Sequence, residues 1–513
     1  MAASRTRRTI QNSKVSIILF LIQIFVGFYS RKIFLEYLGD EIIGLNTTLG
    51  NILSFLNLAE LGIGIAMATS LYKPIHDDDQ ETIINIITVQ GILYKRIALF
   101  LCCMSIPILI ALPFIFPSVD CGIIYVYVAY IVFISGSIFS YLWNYRQVLI
   151  QADQKNFKLM PWIHAVRYTK IFLQIALLMF TPLSIWGWIG AEFTGNVASV
   201  FVINQVLHKE YPWLRKSKES SQVLLQKYKI LLTKTKQLFA HKIGTYVLHH
   251  TTPLVIYAFA SLNTVTYYSN YMMLIGYCHT LIKVVFGGMS ASIGNLIADN
   301  DKQHTMDVFW ELFTSRVWIA GIVCFGLYII IGPFISLWLG DKYVLSDSTL
   351  LLLLLSMFIQ ISRTVIESFK DGYQLFADVW APIAEACLNL GCSILFGYLW
   401  GLNGVLLGVN ISLVLIVLLW KPYYTFRYGM KSPVMPYFIH YVLHVTILIA
   451  GAFIAKFAMR QINNDEESLI MTSITIFVGL LVYIITTYAI LYFFTKGMRK
   501  FTIRIRNILA HRI

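Results

Sequence analysis

Trp186-Gly187-Trp188-Ile189-Gly190, followed by Asn196, returns later in the chain as Trp400-Gly401-Leu402-Asn403-Gly404, followed by Asn410. The offset between the copies is constant, so the two stretches read as one element used twice. A second matched pair lies upstream. Tyr145-Arg146 closes one apolar run and leads to Gln151-Ala152-Asp153-Gln154-Lys155-Asn156-Phe157. Arg363 sits late in another and leads to Lys370-Asp371-Gly372-Tyr373-Gln374-Leu375-Phe376. Both copies are set among apolar windows long enough to cross a hydrocarbon core of about 30 Å. Internal similarity on this scale predicts two related helical bundles.

Such windows recur along all 513 residues. They predict an all-α integral membrane protein of about 14 transmembrane helices, in two pseudo-repeated six-helix bundles plus two C-terminal helices. The expected divisions are an N-terminal bundle over 1–208, a basic linker over 209–237, a C-terminal bundle over 238–424, and two last spans with a basic tail over 425–513. Each half has an even number of spans, so matched elements keep the same direction and the expected axis runs along the membrane normal, with a cleft between the bundles. The first apolar stretch, Val15 to Phe28, has no small-residue cleavage site and reads as an ordinary span rather than a signal peptide.

Composition agrees. Hydrophobic residues make up 58% and charged residues 13%, too few charges to cover a water-facing surface of this size. The net charge of +14 raises the question of nucleic acid, and the placement of the charge answers it. Most Lys and Arg fall in one alternating set of loops and tails, including the stretch from Lys209 to Lys236. The other set leans acidic, with Asp120, Asp341, Asp347 and Asp465-Glu466-Glu467. That asymmetry predicts both termini in the cytoplasm and basic loops that meet anionic lipid, and it calls for no nucleic-acid partner. The seven cysteines form no CxxC pair and read as buried free thiols. No large external loop is present to serve a membrane glycosyltransferase or polymerase. Gly62-Ile63-Gly64 and Gly287-Gly288 lack the strand-turn-helix setting of a nucleotide loop. No catalytic constellation, cofactor or metal is expected.

Ionisable groups inside hydrocarbon are costly and mark functional candidates. Arg31, Lys32, Arg146, Arg167, Lys170, Lys242, Lys283 and Arg363 outnumber Glu60, Glu192, Glu367 and Glu385, so the interior is expected to be cationic and to draw an anion. Lys283 lies mid-span, with Gly276, His279, Gly287, Ser290 and Gly294 in a stripe of small and polar residues, and is the leading candidate. Arg167 and Lys170 share a helix face with His164 and Gln174; they either snorkel to headgroups or line water. Glu60 either takes a proton or cation or pairs with Arg31 or Arg146, and pairing is the favoured reading. Arg363 and Glu367 are spaced to satisfy each other. His440 and His444 have metal-compatible spacing without a third ligand, and a structural role is favoured.

The segment Tyr37-Leu38-Gly39-Asp40-Glu41-Ile42-Ile43-Gly44-Leu45-Asn46, with Phe55-Leu56-Asn57-Leu58-Ala59-Glu60-Leu61-Gly62-Ile63-Gly64-Ile65-Ala66 and Ser70-Leu71-Tyr72-Lys73-Pro74, resembles the N-terminal signature of the polysaccharide biosynthesis protein family. These are the Wzx-type O-antigen and capsule flippases of the multidrug/oligosaccharidyl-lipid/polysaccharide exporter superfamily. The resemblance implies alternating access, an undecaprenyl-pyrophosphate-linked oligosaccharide substrate and a bacterial cytoplasmic membrane. It also implies a cationic lumen, which Lys283, Arg31, Arg146, Arg167, Lys170 and Arg363 could supply. The driving force is open among an H+ or Na+ gradient, with Glu60 and Glu367 as coupling candidates, and the membrane potential acting on charge; a glycan polymerase is a candidate partner. The rivals are a multidrug or organic-cation antiporter, which calls for an acidic cavity, and a membrane glycosyltransferase or polymerase.

Overall fold

A computed structural model describes residues 2–60, 63–229, 250–286, 293–294, 296–297, 301–375, 377–462 and 469–510. Gly62, Lys242, Gly287, Gly288, Ser290, Phe376 and Asp465-Glu466-Glu467 lie outside these residues. The described chain is helical, without a strand, and nine of its helices are long and apolar enough to cross a membrane. Two of them hold more than one span. The helix Gln11–Leu56 has 46 residues, about 69 Å at 1.5 Å per residue, roughly twice a bilayer core. It is folded at Gly39 (φ 80°, ψ 172°), a conformation that favours a residue without Cβ. Likewise the 51-residue helix Trp380–Met430 turns at Trp400-Gly401, where Gly401 has φ 55°. Divided at these turns the nine become eleven, and with the helices Ser184–Glu210, Leu262–Phe286 and the one described over 250–259 the chain is an all-α integral membrane protein of about 14 spans.

The chain forms two compact units, Met1–Thr266 and Tyr267–Ile513. The first contains α1 (Ala2–Leu56), α2 (Ile63–His76), α3 (Gln80–Ile115), α4 (Ile123–Trp143), α5 (Gln147–Ala152), α6 (Asn156–Phe180), α7 (Ser184–Glu210), α8 (Ser221–Lys227) and α9, described over 250–259. Helix α6 packs along α7 and α1, and α4 packs between α3 and α7. Leu45, Leu49, Tyr125 and Tyr130 are fully buried among these helices. Residues 250–266, assigned by sequence to the second bundle, pack on this unit. Tyr257 donates to the Ile115 carbonyl (2.8 Å) and Thr266 to that of Asp40 (2.6 Å). A Cβ at Gly44 would collide with the Leu262 carbonyl.

The second unit contains most of α10 (Leu262–Phe286), then α11 (Lys302–Leu339), α12 (Asp347–Ser362), α13 (Thr364–Gly372), α14 (Trp380–Ser412), α15 (Lys421–Tyr424), α16 (Met435–Ile462), α17 (Leu469–Phe494) and α18 (Lys496–Ala510). Helix α11 is its centre, contacting α12, α16, α17 and α18. Phe309, Phe313, Phe369, Phe426 and Tyr437 stack and edge against one another in the core. The amphipathic α18 is tied to α11 by Arg504–Glu311 (2.6 Å) and Lys500–Asp307 (2.7 Å).

The repeat is visible in single hydrogen bonds. Asn196 on α7 donates to the Val132 carbonyl on α4 (3.2 Å), and Asn410 on α14 donates to the Leu352 carbonyl on α12 (3.0 Å). Gln154 and Gln374 close equivalent turns, both left-handed (φ 57° and 56°), with matching backbone bonds to the helices behind them. Helix α4 breaks into a 3₁₀ turn at Asn144–Arg146, and α12 ends at Arg363 before α13 begins. The Trp-Gly pair differs between copies. Trp400-Gly401 is the turn itself, whereas Trp186-Gly187 lies just inside α7, because the first copy reverses earlier, at Thr181–Ser184. All seven cysteines are free, but Cys102, Cys103 and Cys387 are exposed rather than buried, since helix surfaces that face lipid are not covered by protein.

Beyond the ends of α4 and α7, Lys155 binds Asp153 (2.7 Å) and Glu210 (2.9 Å), Lys158 binds Glu210 (2.6 Å), and Tyr211 donates to Asp153 (2.8 Å). Burial works against these charges, yet Asp153 and Glu210 raise the Lys155 ammonium above its ordinary value. Burial likewise opposes ionised Glu210, yet Lys158 and Lys155 hold its carboxyl below the usual range. A depressed carboxyl stabilises above its unfolded pKa, and a raised lysine stabilises below its own. Glu210→Gln is therefore expected to cost ~1–3 kcal/mol near neutral pH. In detergent melting curves, the difference from wild type should shrink as pH falls through the carboxylate range and as it rises through the lysine range.

Candidate functional site

In the first unit the polar groups converge where helices break. The 3₁₀ turn Asn57–Glu60 follows α1 and precedes α2. Its side chains turn inward. Tyr94 donates to Glu60 Oε1 (2.6 Å), Tyr141 donates to Glu60 Oε2 (2.9 Å) with Asn57 Oδ1 3.1 Å from the same hydroxyl, and Asn57 Nδ2 donates to Ser137 (3.2 Å). Glu60 is thus not paired with Arg31 or Arg146, the favoured reading from sequence. Two tyrosine hydroxyls occupy the positions around it, and no cation lies within 4.0 Å among the described residues.

The basic candidates separate into engaged and uncompensated groups. Arg31 donates to the Thr266 carbonyl (3.3 Å). Lys170 pairs with Glu192 (2.7 Å), and Gln174 donates to the other Glu192 oxygen (3.0 Å) and to the Trp188 carbonyl (3.3 Å). The stem of Lys170 fills the space that a side chain at Gly195 would need. Arg146 lies on the 3₁₀ turn with its Nε 3.4 Å from the Tyr145 hydroxyl and its guanidinium 5.7 Å from that ring's centre. Arg167 is exposed on α6. Neither Arg146 nor Arg167 has a carboxylate within 4.0 Å among the described residues.

In the second unit, Lys283 is exposed in the last turn described for α10, also without a carboxylate partner among the described residues. His279 lies one turn before Lys283 on α10, and its Nε2 is buried without a hydrogen-bond partner among the described residues. The expected pair Arg363–Glu367 is present (3.4 Å), but Glu367 is shared. Lys421 reaches Glu367 (3.3 Å) and Glu385 (3.5 Å), and nearby Lys370 binds Asp378 (2.6 Å). Lys421 stands between two π-helical stretches, Leu413–Trp420 and Thr425–Met430, a geometry often found at functional sites. His444 is satisfied on both nitrogens, by Thr314 (3.2 Å) and the His440 carbonyl (2.6 Å).

Sequence reasoning passed over Lys421, Arg316 and Lys456, each near the end of an apolar run. Arg316 lies 3.3 Å from the centre of the Phe286 ring, and Lys456 bonds the Tyr328 hydroxyl (2.7 Å). A lone Glu385 within a span was the available signal for Lys421, since a buried carboxylate calls for a counter-charge.

The architecture is that of solved membrane transporters. It is similar to "Lipid II flippase MurJ, inward closed conformation" (TM-score 0.64, 15% identity, 92% of this chain and 99% of that one). It is also similar to an inward-facing multidrug resistance MATE family transporter of the MOP superfamily (TM-score 0.59, 13% identity, 82% and 99%) and to a point mutant of the Vibrio cholerae MATE transporter VcmN (TM-score 0.53, 13% identity, 84% and 99%). At these identities the likeness is one of fold. No family model matches the chain, and no curated protein matches it.

The Lys170–Glu192 pair gives a test of its structural role. Lys170→Met leaves the half-buried Glu192 carboxylate without its counter-charge and is expected to cost ~1–3 kcal/mol. Lys170→Met with Glu192→Met should recover most of that loss. A double variant that stays as unstable as Lys170→Met would show that the pair is not what holds α6 to α7.

Proposed function

We propose that this chain is a flippase that carries a lipid-linked oligosaccharide with an anionic pyrophosphate head across a bacterial cytoplasmic membrane by alternating access. Both termini lie in the cytoplasm in this reading, and the basic loops meet anionic lipid. The observation that carries it is the set of intramembrane cations without carboxylate partners among the described residues: Arg146, Arg167 and Lys283. An uncompensated cation in hydrocarbon costs about 2.5–3.5 kcal/mol on insertion scales. Its retention is explained by an anion that visits it. The polyprenyl tail would stay in lipid while the head and glycan cross in water.

The solved MurJ structure is titled a lipid II flippase, and its fold supports a lipid-linked cargo here. The MATE structures support the rival reading of a drug transporter. The disposition of carboxylates favours the flippase, because Glu192 and Glu367 are neutralised by cations and Glu60 accepts two tyrosine hydroxyls. Glu60, which has no cation beside it, is the stronger candidate for coupling to H+ or Na+, ahead of Glu367. A glycan polymerase is the proposed downstream partner.

Deleting the gene should abolish surface polysaccharide and leave lipid-linked repeat units on the cytoplasmic side. Normal surface glycan with new sensitivity to cationic drugs would favour the antiporter instead. Arg146→Gln and Lys283→Ala should each lower flipping by about tenfold or more at unchanged membrane abundance. Glu60→Gln should remove the dependence of flipping on an imposed proton or sodium gradient; a dependence that survives the substitution rules Glu60 out as the coupling group.

A further inference from the structure

The two units share a plan, so each position in one has a control in the other. Along α4 and across to α7, the first unit carries an aromatic group with no counterpart in the second. Phe139 and Trp143 lie edge to face with ring centres 5.5 Å apart, and Phe193 from α7 meets Phe139 at 6.2 Å. Trp143 is 47% exposed and Phe193 42% exposed. The offsets that align Val132 with Leu352 and Asn196 with Asn410 place Ile359, Arg363 and Leu407 at the equivalent positions. Ile359 is buried, and Arg363 is held by Glu367.

Lipid contact alone does not account for this difference. Acyl chains solvate aliphatic and aromatic side chains alike, and at these positions the second unit has two aliphatic residues and a paired arginine instead of rings. The aromatic group also ends at the 3₁₀ turn that carries Arg146, three residues beyond Trp143, or about 6 Å along the axis. Arg146 has no carboxylate partner among the described residues. A row of rings leading to an uncompensated guanidinium matches a molecule with one face of polarised C–H bonds and an adjoining negative group. The electron-rich ring face attracts the C–H side of a pyranose, and the guanidinium takes phosphate oxygens.

We infer that Phe139, Trp143 and Phe193 form a sugar-stacking shelf that holds the first residues of the glycan while Arg146 contacts the adjoining phosphate. This rests on the flippase reading and deepens it: the shelf selects glycosylated carriers over bare ones.

The test uses the full chain in lipid nanodiscs and two fluorescent probes, undecaprenyl pyrophosphate bearing a trisaccharide and the same carrier without sugar. Trp143→Leu and Phe193→Leu should each weaken the glycosylated probe by about three- to tenfold and leave the bare carrier within about twofold of wild type. Trp143→Tyr, which keeps a ring, should restore most of the loss, and that rescue separates stacking from a folding defect. Arg146→Gln should weaken both probes. If wild type binds both probes and the leucine variants bind them equally well, the shelf is a lipid-facing surface and the inference is overturned while the flippase reading stands. If wild type binds neither probe, both fall.

Discussion

Hydrocarbon supplies no hydrogen-bond partner, so a polar group placed in it is stabilised chiefly by partners within the protein. The internal organisation of this molecule follows from that constraint. Asn196 and Asn410 reach neighbouring backbone carbonyls, Gln174 reaches Glu192 and Trp188, and His444 is satisfied on both ring nitrogens. These bonds join helices that apolar packing alone would leave free to slide, because lipid tails are as apolar as leucine and give helices little reason to associate. Glycines set the closest approaches. The Leu262 carbonyl lies against Gly44, and the α14 hairpin closes over Gly404 and Gly408, where a Cβ would strike the opposite backbone.

The same constraint explains why the helices break where they do. A 3₁₀ or π-helical stretch changes the direction of side chains and loosens the regular backbone ladder. In hydrocarbon this is tolerated where polar side chains and protein surround it. Around Asn57–Glu60 the surround is Tyr94, Tyr141 and Ser137; around Lys421 it is Glu367 and Glu385. Irregular backbone and intramembrane charge thus occur together, as each makes the other tolerable.

Much of this was legible in the sequence, for definable reasons. Span number depends on the length of apolar runs, and the repeat depends on residues such as Asn196 and Asn410 whose bonds require one identity at one register. The Arg363–Glu367 pair follows from helical spacing alone. Partnerships between helices did not follow. Lys170 and Glu192 were each visible as intramembrane charges, but their meeting depends on how α6 lies against α7. Glu60 was matched with arginines on charge, whereas geometry gave it to two tyrosines, which reads as core packing in one dimension. The positions most apt to be misread were lysines and arginines near span ends, where Lys421 looks like an ordinary boundary residue.

Duplication makes the remaining asymmetry informative. Two units built on one plan bear the same folding constraints, so features kept in both, such as the asparagine clamps and the left-handed glutamines, are accounted for by architecture. Features present in one alone need another cause. The cluster of Arg363, Glu367, Lys421 and Glu385 neutralises itself within the second unit. At the corresponding break in the first unit, Arg146 stands beside Tyr145 and the aromatic row with no acid among the described residues to balance it. A stable fold needs no such unbalanced charge, as the second unit shows by its own solution. The first unit leaves Arg146 without a counter-charge and the Trp143 and Phe193 rings exposed where its twin pairs Arg363 and buries Ile359, an asymmetry that folding constraints common to both units do not produce.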